Sequence, residues 1–258
     1  MLSAFVSHGS PTILVEDIPW KGMMRDLGQR IMKEWRPESV VVISPHFISW
    51  SGTHLVEIQE KLECIQDYYG FPDELYKFCY SAKNDTELAM NIIRVGKEMG
   101  LDVEADQSWG LDHGAWIPLS FMFPGIKTVT VSITDQGPDV HFKLGQAIAK
   151  ASRGKRVVLL GTGSPTHRLE GMYLKLKPRQ SAFDRLLISL IEECKVREIM
   201  ELPKRKEWIE AQPEGLLNPL YVALGFSSPK TCSVLGYDIP WGGVSMLAAL
   251  FQGDQGNE

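Results

Sequence analysis

The chain has 258 residues, 44% of them hydrophobic and 23% charged, and a formal net charge of −5. This composition is that of a globular protein with one sizeable core, not of a disordered chain. The acidic balance gives no electrostatic reason to bind nucleic acid or an anionic membrane surface. No apolar run approaches the roughly 20 residues that cross a bilayer.

In chain order, residues 4–7 read as a first strand ending at His8-Gly9-Ser10-Pro11. The stretch before that motif has no basic cluster, so no signal peptide is expected. Residues 20–35 carry Met23, Met24, Leu27, Ile31, Met32 and Trp35 at helical spacing, and Arg36-Pro37 ends the helix. Residues 39–44 form a buried strand that runs into Pro45-His46. Asn84-Asp85 caps a helix over 86–99, and Gly100 stops it.

A strand at 127–133, a helix at 139–151 and a strand at 156–160 follow, the last opening into Gly161-Thr162-Gly163-Ser164-Pro165. A long helix over 180–196 and a strand near 233–236 complete the pattern. The basic run Lys204-Arg205-Lys206 reads as a solvated helix start. Strands alternating with helices predict a single α/β domain over residues 1–258. Its central sheet is mainly parallel or mixed, is covered by helices on both faces, and places functional groups at the carboxyl ends of strands.

Cys64, Cys79, Cys194 and Cys232 are far apart and form no C-x-x-C pair. Each is expected as a small core residue in a reducing compartment, which points to the cytoplasm. The histidines are more informative. His8, His46 and His167 each follow a predicted strand, beside Gly, Ser or Pro residues that let the backbone turn, so all three are expected to converge on one rim of the sheet. His113, in Gly110-Leu111-Asp112-His113-Gly114, is equally compatible with a helix start capped by Asp112 and with a site residue. His54 and His141 read as structural. Gly161-x-Gly163 does not complete a G-x-G-x-x-G loop, and no G-x-S-x-G elbow is present, so nucleotide-binding and serine-hydrolase readings are weak.

Five motifs occur together in order: Ser7-His8-Gly9-Ser10-Pro11, Ser44-Pro45-His46-Phe47, Tyr69-Gly70-Phe71-Pro72, Gly110-Leu111-Asp112-His113-Gly114 and Gly163-Ser164-Pro165-Thr166-His167. With Pro219-Leu220-Tyr221 and Ser245-Met246 they make the chain resemble the class III extradiol ring-cleavage dioxygenases, closest to the 4,5-DOPA extradiol dioxygenase branch. The resemblance implies a small aromatic diol and O2 as substrates, Fe(II) as the active metal, and Zn(II) as an alternative occupant. It also implies His8 and His46 as metal ligands, and His167 as an acid–base group close enough to the metal to act as a ligand. His113 would touch the ligands or the substrate, and Tyr68-Tyr69-Gly70-Phe71 would line the ring-binding wall. A homo-oligomer is compatible with all of this.

The chain departs from the pattern at one place. Where these proteins carry Pro-Glu-His-x-x-Pro, it reads Pro213-Glu214-Gly215-Leu216-Leu217-Asn218-Pro219. Either Glu214 supplies a carboxylate ligand there, ahead of Glu210 as a substitute, or that ligand is missing. Gly215→His would restore the pattern if the backbone there does not need a positive φ. The alternatives to a dioxygenase are a non-catalytic metal-binding or interaction protein on the same fold, and a zinc-dependent hydrolase.

Overall fold

Alternation with a period of two organises the centre of the molecule. The computed structural model describes residues 1–254. In the strand Ser39–Ile43, Val40 and Val42 point into one apolar layer, and Val41 and Ile43 into the other. Leu2–Val6 divides in the same way, with Ala4 and Val6 on one side and Phe5 on the other. Every residue of both strands is buried, as a parallel sheet covered on both faces requires.

The sheet has six strands in the order Thr231–Trp241, Val244–Gln252, Leu2–Val6, Val157–Gly161, Ser39–Ile43, Lys127–Thr130. The last four run parallel, and the first two form an antiparallel hairpin against Leu2–Val6. Helices Pro19–Glu34 and His113–Met122 cover one face through Trp20, Met24, Leu27, Trp116 and Leu119. Helices Thr86–Glu98, Pro138–Ala151, Ala182–Glu192 and Asn218–Ser227 cover the other. This is the expected α/β architecture with a mixed sheet. Asp85 caps the Thr86–Glu98 helix by accepting from the Leu88 N–H at 3.2 Å.

Three element readings change, and one helix was not foreseen. The strand expected over 127–133 ends at Thr130, and Ile133–Thr134 pairs separately with Ile48–Ser49. The long helix over 180–196 breaks at Cys194, whose φ is 53°, and resumes as Val196–Met200. The strand near 233–236 belongs to a much longer hairpin. The Asn218–Ser227 helix is buried along its whole length, so it shows no amphipathic period to read.

The fourth correction concerns the cysteines. They are not separate thiols: Cys64 is bonded to Cys79 and Cys194 to Cys232, and none is free. The antiparallel pairing of Leu62 with Ala82 folds residues 64–79 into a closed loop, while the helix Ala182–Glu192 packs on the strand that carries Cys232. Sequence distance hid both approaches. The argument from unpaired thiols to a reducing compartment therefore does not hold. Among the described residues, no helix is long and apolar enough to cross a membrane.

Candidate metal centre

Three neighbouring parallel strands deliver the three expected histidines. His8 lies just past Leu2–Val6, His167 past Val157–Gly161 and His46 past Ser39–Ile43, all at the carboxyl ends. Backbone and hydroxyl contacts hold these turns together. Ser7 Oγ donates to Gly163 O at 2.6 Å and accepts from Leu247 N–H at 2.9 Å, tying the His8 turn to the His167 turn and to the hairpin. Thr162 Oγ1 donates to Gly114 O at 2.8 Å. Gly114 has no substitute at its position, because a Cβ there would lie 2.5 Å from Ser44 Oγ and 2.8 Å from His46 Cδ2.

Glu214 meets all three rings. Its Oε1 lies 3.1 Å from His46 Nε2, 3.5 Å from His8 Nε2 and 3.7 Å from His167 Nε2. His8 and His46 Nε2 are 3.3 Å apart. The other carboxylate oxygen, Oε2, accepts from Ser164 N–H at 2.9 Å, so one oxygen is anchored and one is aimed into the site. The His8 and Glu214 side chains are buried, whereas His46 and His167 keep 28% and 27% exposure, so the site opens on their side.

The backbone around Glu214 explains the missing histidine. Gly215, Leu216 and Leu217 all have left-handed φ values, 57°, 56° and 61°. Two successive leucines in that region are costly, and packing must hold them there; Leu217 is fully buried. A Cβ at Gly215 would lie 2.6 Å from Pro45 Cβ. The condition attached to Gly215→His is therefore not met: this turn needs glycine and directs the preceding carboxylate inward instead.

A second network seats His46 and His113. Ser44 Oγ donates to Asp112 Oδ1 at 2.5 Å and accepts from His46 N–H at 3.2 Å. Asp112 also accepts from Trp109 Nε1 at 3.0 Å and caps the His113–Met122 helix through Ala115 N–H. So the cap reading of this turn holds, and the same turn sets the His113 ring 4.2 Å from that of His46. Asp67, which sequence reading missed, accepts from His113 Nδ1 at 2.8 Å. Asp67 is 46 residues from His113 in the chain, and no spacing links them.

Charge is concentrated here. Burial pulls His8 below its ordinary value. Burial opposes the charged form of His46 as well, but Glu214, Asp112 and Asp67 together outweigh it and raise His46 to about 9. Burial would likewise raise Glu214, yet His8, His167 and His46 together hold it well below the usual carboxylate range. His8 Nδ1 is buried without a hydrogen-bond partner. A buried carboxylate against crowded imidazole nitrogens is the donor chemistry that a divalent ion satisfies.

His8, His46 and His113 also present ligand atoms within 4.8 Å of one another. Two donor sets therefore overlap on His8 and His46, and differ in whether Glu214 or His113 joins them.

Comparison with known proteins places this geometry. Residues 2–245 match the model of a family described as the catalytic LigB subunit of aromatic ring-opening dioxygenase. The chain belongs to that family. It is 31% identical over 251 residues to a 4,5-DOPA dioxygenase extradiol of Beta vulgaris, covering 93% of this chain and 92% of that protein. A protein of the same description from Mirabilis jalapa is 28% identical over 238 residues, with 88% of each chain covered. The crystal structure of an uncharacterized Escherichia coli K12 protein superposes with a TM-score of 0.74 at 21% identity, over 97% of this chain and 99% of that one. The last likeness concerns the fold alone. The resemblance to class III extradiol dioxygenases is thus confirmed for the chain as a whole.

Proposed function

We propose that this chain is a metal-dependent extradiol dioxygenase that opens the ring of a small catecholic substrate with O2. The observation that carries the reading is the meeting of Glu214 Oε1 with His8, His46 and His167 at 3.1–3.7 Å, in a member of a ring-opening dioxygenase family.

His8, His46 and Glu214 are the residues that would hold the ion. Two imidazoles and one carboxylate are the donor set of non-haem Fe(II) oxygenases and leave positions for a diol and O2. Glu214 is preferred to His113 as the third donor because its Oε1 faces three ring nitrogens at 3.1–3.7 Å. Fe(II), bound there, would supply Lewis acidity toward a phenolic oxygen and an electron path between diol and O2. Zn(II) suits the same donors and is the alternative occupant.

The chain's own residues do the rest. His167, farther from Glu214 and partly exposed, is placed to take or return a proton on the open side. His113 donates from Nδ1 to Asp67, which leaves Nε2 as an acceptor for a diol proton. Tyr68 sets its ring edge against His113 at 5.5 Å and gives that wall an aromatic face, while Tyr69 is 88% exposed and lines no closed wall.

The test is anaerobic reconstitution with Fe(II) or Zn(II), followed by oxygen-electrode measurements over simple catechols, including dihydroxyphenyl amino acids. One O2 consumed per catechol, with a yellow ring-fission product only in the Fe(II) form, is the expected result. Full Fe(II) occupancy with no uptake across the series would overturn the assignment.

A further inference from the structure

The closed loop between Cys64 and Cys79 sends one carboxylate into the site, and neither the strand-end pattern nor the ligand set accounts for it. Asp67 Oδ1 accepts from the His113 ring at Nδ1, 2.8 Å, and from the His113 backbone N–H, also 2.8 Å. Asp67 Oδ2 lies 3.5 Å from His46 Nδ1. One residue therefore faces two histidines, whose rings are 4.2 Å apart.

The two bonds at Oδ1 have separate consequences. The backbone bond fixes where the His113–Met122 helix begins, and the ring bond fixes how the first side chain of that helix is turned. The loop is itself held: Trp116 Nε1 donates to Ile65 O at 3.0 Å, and Tyr68 OH to Leu75 O at 3.0 Å, on either side of Asp67. The Asp67 side chain is only 17% exposed, so water competes weakly for its oxygens.

A carboxylate accepts and cannot donate, so an imidazole nitrogen facing it carries the proton and the opposite nitrogen carries the lone pair. For a histidine that holds a metal, such a partner fixes the ring and raises its donor strength. We propose that Asp67 is the positioning residue that sets the tautomers of both His46 and His113. It keeps the proton on each Nδ1, so that His46 Nε2 serves as a ligand and His113 Nε2 as a proton acceptor. This rests on the dioxygenase reading only for the final role of His113; the tautomers themselves need neither catechol nor O2.

Histidine 15N NMR on the Zn(II)-loaded protein, wild type and Asp67→Asn, and Zn(II) competition titrations on both, test the proposal. In wild type, His46 and His113 should both appear as the Nδ1–H tautomer. In Asp67→Asn the amide offers a donor where an acceptor stood, so at least one of the two rings should change tautomer. Zn(II) affinity should then fall by about 10–100-fold. If the wild-type rings are Nε2–H tautomers, the proposal is overturned whether or not the variant folds. It is equally overturned if Asp67→Asn keeps both tautomers and a Zn(II) affinity within about twofold of wild type, outside the loss expected for such a partner. A protein that consumes no O2 yet shows these tautomers would remove the dioxygenase reading and leave the role of Asp67 standing.

Discussion

The molecule contains two groups of closely packed histidines, and only one has the chemistry of a site. His54 and His141 lie edge to face at 5.3 Å, much as His8 and His46 do at 5.2 Å. Their partners differ. His54 Nδ1 meets Ser132 O and its Nε2 is buried without a partner, while His141 donates to Gly137 O and accepts from Thr134 N–H, so the pair's hydrogen bonds go to backbone. Among the described residues, no carboxylate bonds to either ring. At the strand ends, Glu214 and Asp67 face four histidines. Proximity of imidazoles is thus a packing event in one place, and in the other an accumulation of donors around buried negative charge. Carboxylate partners distinguish a candidate metal centre from a polar plug.

The strongest challenge to that contrast is removal of a ring from each group. His8→Ala and His46→Ala should each abolish stoichiometric metal binding in a titration while far-UV circular dichroism stays native. His141→Ala should leave the stoichiometry intact. A His8 or His46 variant that binds metal with unchanged affinity would remove that residue from the ligand set.

Within the site, His167 is separable from the residues that hold the ion. His167→Ala should lower turnover by about 10²–10⁴-fold, the usual contribution of a positioned acid–base group, with a much smaller change in metal affinity. Parallel loss of metal and activity would make His167 a ligand.

Glu214→Gln replaces the shared charge with a neutral amide and should weaken Fe(II) binding by at least about 10-fold, the lower end of the loss seen when a partner of a metal site is removed. Zn(II) should be less affected, since His167 can complete three imidazoles. Gly215→His should not tighten either metal, and should cost roughly 1–3 kcal/mol in urea unfolding, because a left-handed residue gains a side chain against Pro45.

The smallest effect belongs to the structural pair. Burial lowers His141 from 6.5 to about 3, so the folded protein holds it neutral. Its folded value lies below its unfolded one, so its contribution is complete above pH 6.5 and is lost as pH falls toward 3. His141→Gln, which retains an acceptor for Thr134 N–H, should therefore lose less stability than wild type between those two pH values, read as the change in urea midpoint. Identical slopes would mean that His141 is protonated equally in both states.

Much of this arrangement was legible before folding was considered. The runs at 39–44 and 156–160, the capped helix after Asp85 and the turns that carry His8, His46 and His167 all follow from local rules. Apolar period, caps and breakers act within a few residues. The same locality explains what was illegible. The Asn218–Ser227 helix is buried throughout and the Val244–Gln252 strand is buried from Val244 to Ala249, so neither run carries a period that tells helix from strand. The Cys64–Cys79 bond and the reach of Asp67 depend on the loop 64–79 folding back, and the Cys194–Cys232 bond on the Ala182–Glu192 helix packing against the hairpin.

The sequence by itself determined an α/β sheet with three histidines at the ends of separate strands, and the resemblance it carries marked Glu214 as the carboxylate beside the missing histidine. Only the tertiary structure decided what those groups do to one another. The left-handed run Gly215–Leu217 aims Glu214 Oε1 inward, and Pro45 leaves no room for a side chain at Gly215. Asp67 reaches His113 from 46 residues away. A strand end is written in local pattern, because its cause is the adjacent apolar run. A ligand's orientation and a tautomer are fixed by atoms from distant segments within about 3 Å, hydrogen-bonding distances that only the packed chain can set.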